Sequence, residues 1–168
     1  MTLVLVERSD TGALWPAADE LARLGVRASH AFVAGDRRRR VAVYVAADAE
    51  AVRRALADAG APFDRLWPAA PFSFDGADAS APEAPVVVAE RTYPEPVREE
   101  TAASLRDCSR WCFQTHEVGA VSVYYEAGGR RGLCVYTARD VESVRIANRM
   151  AKLPTDAIWG GVLVRPPR

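Results

Sequence analysis

The feature that most constrains this chain is an internal repeat. Residues 38–67 align without a gap on residues 130–159, and both segments contain a Val-Tyr pair, a following Asp and a Glu-x-Val-Arg motif. Upstream, residues 4–8 match residues 87–91, and both of these short segments end in Glu-Arg. A duplication of this length predicts two copies of one structural unit within the chain.

Each copy has the pattern strand, helix, strand, strand, helix, strand. Alternating apolar residues flank a Gly-Asp turn at residues 35–36, which is typical of a hairpin, and Asp48 and Asp140 stand where N-cap residues begin helices. This order predicts the split βαβ, ferredoxin-like fold in each copy, with a longer first helix in the second. The predicted domains are repeat 1 at 1–70, a linker rich in Pro, Ala and Ser at 71–84, and repeat 2 at 85–168.

The predicted fold class is α+β, with two tandem ferredoxin-like (βαββαβ) repeats packed as an intrachain pseudo-dimer that resembles an α+β barrel. A four-stranded sheet with helices on one face leaves its other face uncovered. A second copy in the same chain is the nearest surface that could cover it. We therefore expect the two sheets to face each other around a cavity.

The composition limits the partners of the protein. Of the 168 residues, 49% are apolar and 26% are charged, which is typical of a globular chain. The 22 basic and 22 acidic residues cancel, so no overall field would attract nucleic acid or a membrane surface. The start lacks a basic signal-peptide region and no apolar run could span a bilayer, so we expect a cytoplasmic protein with its three cysteines reduced. The expected assembly is a monomeric pseudo-dimer or a homodimer.

The repeated motifs resemble a known family. They are the strand ending in Glu7-Arg8 or Glu90-Arg91, the hairpin that begins at residues 29–36, the Cys-Val-Tyr of residues 134–136 and the acidic residue before Glu-x-Val-Arg. In these features the chain is similar to the small actinobacterial ferredoxin-like domains of unknown function whose namesake binds nickel. The resemblance implies a fold that dimerises through its sheets and, in some members, nickel or another divalent transition metal bound through histidine. His30 matches the strand histidine of that family, whereas its repeat partner is Ser122.

Alternation along the strands predicts an aromatic pocket between the copies. If Val41 and Val43 face the helices, Tyr44 points to the opposite face, and the same reasoning places other polar and aromatic side chains there. The predicted catalytic residues are His30, Tyr44, Tyr136, Glu7 and Glu90, and the predicted pocket residues are Phe32, Trp67, Ser122, Tyr124, Cys134 and Trp159. The same aromatics would equally serve as simple packing between the copies.

A second group of candidate ligands lies on the first helix of repeat 2. Cys108, Cys112 and His116 are spaced four residues apart and share one stripe of the helix, and thiolate with imidazole suits zinc, copper(I) or nickel. With His30, these residues are the candidate metal ligands. Leu105, Cys108 and Cys112 also form an ordinary core stripe, so a purely structural role stays open.

Two functions from different classes follow from these patterns. The first is a small-ligand or metal-binding protein, with nickel as the metal that the resemblance implies. The second is a cofactor-independent enzyme, an isomerase, cyclase or monooxygenase acting on an aromatic or polyketide-like metabolite, in which His30 is the general acid and base. A third possibility is a non-catalytic module whose free sheet edges pair with a partner.

Overall fold

A computed structural model describes residues 1–73 and 83–167 of the chain. The chain divides into two compact units, the first formed mainly by Met1–Ala70 and the second mainly by Pro85–Gly161. Both units combine helices and antiparallel strands, which confirms the α+β class. The packing of the two copies as a pseudo-dimer stays a prediction.

The first unit has one strand, one helix, two strands, one helix and one strand, in that order. Strand β1 pairs with both β3 and β4, and β2 pairs with β3, so the antiparallel order is β4-β1-β3-β2. This is the order of the ferredoxin-like plan. The elements are β1 (Thr2–Arg8), α1 (Ala18–Arg23), β2 (Arg27–Ala34), β3 (Arg40–Ala46), α2 (Ala49–Asp58) and β4 (Arg65–Ser73).

The second unit repeats this succession with one change of length. Its elements are β5 (Glu83–Thr92), α3 (Glu99–Thr115), β6 (Gly119–Glu126), β7 (Arg131–Thr137), α4 (Val141–Met150) and β8 (Ala157–Val164). Strand β7 lies between β5 and β6, and β8 lies beside β5. Helix α3 has 17 residues where α1 has 6, which confirms the longer first helix of the second copy.

The predicted linker at 71–84 overlaps two strands at its ends. Strand β4 continues to Ser73 and β5 begins at Glu83. The central part of the linker, residues 74–82, lies outside the described residues.

The helix starts follow the capping residues that the sequence indicates. The Asp48 carboxylate accepts a hydrogen bond from the backbone N–H of Ala51 at 2.8 Å, and Asp140 accepts one from Ser143 at 2.7 Å. Each bond satisfies one of the free amides in the first turn of a helix. Both predicted N-caps are confirmed.

The sequence-based assignment of sheet faces is wrong for strands β3 and β7. Ala42 and Tyr44 pack with the buried residues of α1 and α2, so this side of β3 faces the helices. Cys134 and Tyr136 of β7 likewise pack under α3 and α4. Alternation identifies which residues share a face but not which face the helices cover. Val on one side and Ala or Tyr on the other are both apolar, so no polar face distinguished the two.

A buried ion cluster closes one end of the first unit. Asp10 accepts hydrogen bonds from Arg8 Nε at 2.8 Å and from Arg40 Nη2 at 2.9 Å, and each arginine is only 5% exposed. Arg40 ends a run of four arginines at residues 37–40, and it is buried whereas the preceding three are exposed. One carboxylate therefore compensates two buried guanidinium groups.

No helix in the described residues is both long enough and apolar enough to cross a bilayer.

Asp10→Asn tests this ion cluster. Removing the carboxylate leaves two buried cations without a counter-charge, which we expect to lower the free energy of unfolding by about 3 kcal/mol. Hydrogen bonds from Arg8, opposed by burial, hold the pKa of Asp10 below its ordinary value. The contribution of Asp10 is therefore present above about pH 4 and is lost as the pH falls below that value.

Urea unfolding at pH 7 and at pH 3 measures this effect. Asp58→Asn at the exposed end of α2 is the matched control and should change the unfolding free energy by less than about 0.5 kcal/mol. Equal stability of the two variants at pH 7 would show that Asp10 does not compensate the guanidiniums.

Candidate ligand-binding cavity

The second unit contains a cavity of about 370 Å³ between α3 and the sheet. The strand residues of its wall come from the helix-facing side of β5, β6 and β7. Its lining comprises Arg91, Tyr93, Glu99, Ala102, Ala103, Leu105, Arg106, Ser109, Arg110, Phe113, Gln114, Val118, Ala120, Val123, Tyr125, Cys134, Tyr136 and Leu153. This volume falls within the range of small-molecule sites.

Arg91 places a buried cation in the cavity wall, with 1% of its surface exposed. Its Nε donates to Cys134 Sγ at 3.1 Å and its Nη2 donates to the Tyr136 hydroxyl at 2.8 Å. Nη2 also donates to the Asn148 amide oxygen, and Nη1 donates to the Pro154 carbonyl at 2.7 Å. Four acceptors from different parts of the unit thus fix the orientation of the guanidinium.

Arg91 has no carboxylate partner among residues 1–73 and 83–167. An arginine side chain stays protonated in a protein, so its charge persists in the buried site. Burying a charge without a counter-charge is costly, because hydrogen bonds from neutral groups replace only part of the lost hydration. The wall of the cavity therefore carries a buried positive charge that forms no ion pair with the described residues, and the carboxylate that Glu99 contributes to the lining is not bound to it.

Three tyrosines surround this charge. The rings of Tyr93 and Tyr125 lie 5.9 Å apart, and their hydroxyls are hydrogen-bonded to each other. Burial raises the pKa of Tyr93, Tyr125 and Tyr136 above the ordinary value of 10.0. All three phenols are therefore neutral at physiological pH, so none of them acts as a counter-ion to Arg91.

The apolar part of the cavity comes from α3. Phe113 stacks on Tyr136 with ring centroids 5.2 Å apart, while Ala102 and Leu105 line the same side. Arg106 and Arg110 of this helix both lie within 4 Å of Asp107. A hydrophobic wall with a few convergent polar groups is the usual chemistry of a small-molecule site.

Sequence reasoning missed the centre of this site, although the repeat contained a signal for it. Where Tyr93 lines the cavity, the first copy has Asp10, the counter-ion of Arg8. Where the first copy has buried Leu56, the second has Asn148, an acceptor for Arg91. The positions at which the copies differ, rather than those at which they agree, indicate the site.

Gly132 is a further difference between the copies. It aligns with Arg40, the second cation of the ion cluster in the first unit. A Cβ atom at position 132 would lie only 3.1 Å from Tyr93 Cε2. Glycine thus lets the Tyr93 ring approach strand β7 closely.

The predicted site residues of repeat 1 are divided between the two faces of its sheet. The strand register places His30 opposite Val43, and Phe32 opposite Val41, on the face away from the helices. Glu7 shares this face and accepts a hydrogen bond from Trp67 Nε1 at 2.7 Å. Tyr44 lies on the other face, under the helices, so it does not join His30 in one site.

The predicted residues of repeat 2 are divided in the same way. Ser122 and Tyr124 lie opposite Val135 and Leu133, on the face away from the helices. Glu90 shares that face and accepts a hydrogen bond from Trp159 Nε1 at 2.8 Å. Of all the predicted site residues, the α3 cavity is lined by two, Cys134 and Tyr136.

The candidate metal ligands do not converge. Cys108 is exposed, Cys112 is buried, and His116 Nε2 lies 3.0 Å from the Met150 sulfur. Within the part of the chain that the structure describes, no group of three His, Cys, Asp or Glu residues could hold a metal ion. Burial, assisted by the charge of Arg165, lowers the pKa of His30 to about 4, so its imidazole is neutral at physiological pH.

Comparison with known proteins supports the fold. No family model matches the chain, and no curated protein matches it, so the resemblance to the nickel-binding family stays a prediction. Among solved structures, a provisionally assigned chlorite dismutase has a TM-score of 0.56 at 15% identity, covering 98% of this chain and 94% of that one.

Two further solved structures are less similar. An anthrone oxidase-like protein has a TM-score of 0.48 at 9% identity, with coverage of 99% of this chain and 92% of that one. A haem-binding protein from Thermus thermophilus has a TM-score of 0.46 at 10% identity, with coverage of 95% and 90%.

Asn148→Leu tests the hydrogen bonding of Arg91. The substitution removes one acceptor from the buried guanidinium and the bond from Asn148 Nδ2 to the Val144 carbonyl, so we expect a loss of about 2 kcal/mol in unfolding free energy. The reciprocal change, Leu56→Asn, places an amide among apolar residues of the first unit and should cost at least as much. Unfolding in guanidinium chloride measures both. An unchanged stability of Asn148→Leu would contradict the role of this amide.

His30 should make the protein sensitive to mild acid. Its pKa is about 4 in the folded chain and near 6.5 in the unfolded chain, so the unfolded state takes up the proton first. Stability should therefore fall by up to about 3 kcal/mol as the pH drops from 6.5 to 4. His30→Gln removes the titrating group. In this variant, stability measured by thermal unfolding should depend less on pH between 6.5 and 4. If the stability of His30→Gln falls with pH as steeply as that of the wild type, another residue causes the effect.

Proposed function

We propose that this protein binds a small, largely apolar organic molecule in the α3 cavity. The observation that carries the proposal is the 370 Å³ cavity itself, which combines a hydrophobic roof with a buried cation and three phenols. Protein interiors are otherwise packed to the density of organic crystals. A space of this size beside polar groups that face one point is typical of a binding site.

The length of α3 supports a specialised role for the second unit. In the first unit, Trp15 lies edge-on against Tyr44 with ring centroids 5.9 Å apart, in the cluster that α1 and α2 cover. In the second unit, the 17-residue α3 extends over the sheet, and its Ala102, Ala103 and Ser109 side chains on the cavity side are small. Small residues on a long covering helix leave room for a bound molecule.

An organic ligand accounts for the lining better than a metal or a haem. The described donors form no metal-binding group of three, and the lining residues include no histidine that could bind a haem iron. The soft donor in the lining is Cys134, whose sulfur already accepts the Nε proton of Arg91. The residues present therefore do not fit a haem site.

The enzymatic alternative has weaker support than binding. A general base works best when its pKa lies near the working pH, whereas the pKa of His30 is lowered to about 4. His30 also lies on the sheet face that points away from the helices, apart from Tyr44. We therefore propose binding as the primary function.

Filling the cavity tests the proposal. Ala102 is 7% exposed and lines the cavity, so Ala102→Phe should occupy the space that the ligand needs. With the neutral fluorescent probe N-phenyl-1-naphthylamine, we expect the wild-type protein to enhance emission with saturation at one probe per chain. Ala102→Phe should weaken binding at least about tenfold.

Ser104→Phe is the matched control, because it adds the same ring to an exposed position of the same helix. It should bind the probe as the wild type does. Circular dichroism and thermal unfolding establish that both variants fold. If Ala102→Phe folds and still binds the probe with wild-type affinity, the cavity is not the binding site.

A further inference from the structure

We infer that the molecule held in the α3 cavity is an acid, and that its charged oxygen supplies Arg91 with a counter-charge, a role that Asp10 has for Arg8 in the first unit. The inference rests on the proposed function and specifies the chemical class of the ligand. It comes from comparing two aligned arginines in one chain, of which Arg8 has a carboxylate partner and Arg91 has none among the described residues.

The first unit shows the ion-paired form of this site. Arg8 donates from Nε and Nη2 to the two carboxylate oxygens of Asp10, at 2.8 Å and 3.0 Å. Such a two-point arrangement is the strongest common pairing of a guanidinium with an anion. The carboxylate comes from the chain itself, two residues after the arginine.

The second unit keeps the arginine and replaces the carboxylate. Arg91 is the repeat partner of Arg8, and Tyr93 stands at the position of Asp10. Gly132 replaces the second arginine of the cluster, so one positive charge remains in place of the two that Asp10 compensates. The substitution thus removes the carboxylate partner of this arginine, and none of the residues in 1–73 and 83–167 replaces it by an ion pair.

The geometry also indicates how an acid would be held. All five N–H groups of Arg91 are engaged by protein acceptors, so the guanidinium acts on a ligand through its charge. Tyr93 and Tyr125 line the same cavity as a hydrogen-bonded pair of neutral phenols, and a hydroxyl of this pair can turn to donate a hydrogen bond to the acid. A charge in a low-dielectric wall beside hydroxyl donors is the arrangement that stabilises an oxyanion.

The size and lining of the cavity specify the chemical class of the ligand further. The roof offers the Phe113 ring and the side chains of Ala102, Leu105 and Val118. These groups suit the body of an aromatic molecule, while the charge near the sheet suits its acidic group. We therefore infer an aromatic carboxylic acid, or a phenol or enol acidic enough to ionise.

Isothermal titration calorimetry with 1-naphthoic acid and 1-naphthamide tests the inference. The two compounds have nearly the same shape, but at neutral pH only the acid is charged. We expect the wild-type protein to bind the acid at least about tenfold more tightly than the amide. Ala102→Phe should weaken the binding of both compounds.

Asn148→Asp supplies an internal carboxylate with almost no change of shape. Asn148 already accepts a hydrogen bond from Arg91, so its carboxylate analogue should neutralise the guanidinium. We expect this variant to lose the preference for the acid while it still binds the amide. Tyr93→Asp should lose the preference too, whereas Tyr93→Asn, which lacks the same ring but adds no charge, should keep an acid-to-amide ratio well above one.

Each outcome separates the two proposals. If the wild type binds the acid and the amide equally, and Ala102→Phe weakens the binding of both, the inference of an acidic ligand is overturned. The proposed function would then still stand. A preference for the acid that survives in both Asn148→Asp and Tyr93→Asp would show that Arg91 is not its cause. Binding of neither compound nor the neutral probe would overturn the inference together with the proposed function.

Discussion

A guanidinium group buried in a small βαββαβ unit must be compensated, because the interior gives back only part of the hydration that the charge loses. The two units of this chain solve the same problem at the same strand end in different ways. In the first, Asp10 compensates Arg8 and Arg40 with a single carboxylate. In the second, Arg91 donates to a sulfur, a phenol, an amide and a backbone carbonyl. That difference gives the arginines of the first unit an ion pair with the chain itself and makes the second unit a proposed site for an anion.

The two units also differ in the length of their first helix, and this difference bears on the space beside the arginine. The six residues of α1 cover little of the first sheet, and Trp15 contributes a large ring to the packing there. The 17 residues of α3 extend over the second sheet and contribute small side chains to the cavity that Arg91 also lines. Electrostatics and packing thus act together, since a buried cation without space beside it could not receive a ligand. The proposed site needs both the missing carboxylate and the longer helix.

Divergence between aligned positions was more informative about the candidate site than identity. The residues that the copies share, such as Asp48 with Asp140, cap helices or fill the core beneath them. The residues that differ, Asp10 with Tyr93 and Leu56 with Asn148, include the partners that distinguish the surroundings of the two arginines. The residues identical in both units include the two arginines themselves, whereas the residues that differ give each arginine different partners.

The sequence by itself determined the succession of strands and helices, the N-caps and the longer helix of the second copy, because these depend on local periodicity and on capping side chains within a few residues. It also predicted Cys134 and Tyr136 as site residues, and both line the α3 cavity, although it assigned them to the wrong face. Only the tertiary structure decided which sheet face the helices cover, since the two sides of β3 and β7 are both apolar and alternation cannot distinguish them. Only the tertiary structure brought Arg91, Tyr125 and Asn148 together, because these residues are distant in the chain and their contacts depend on how strands and helices pack.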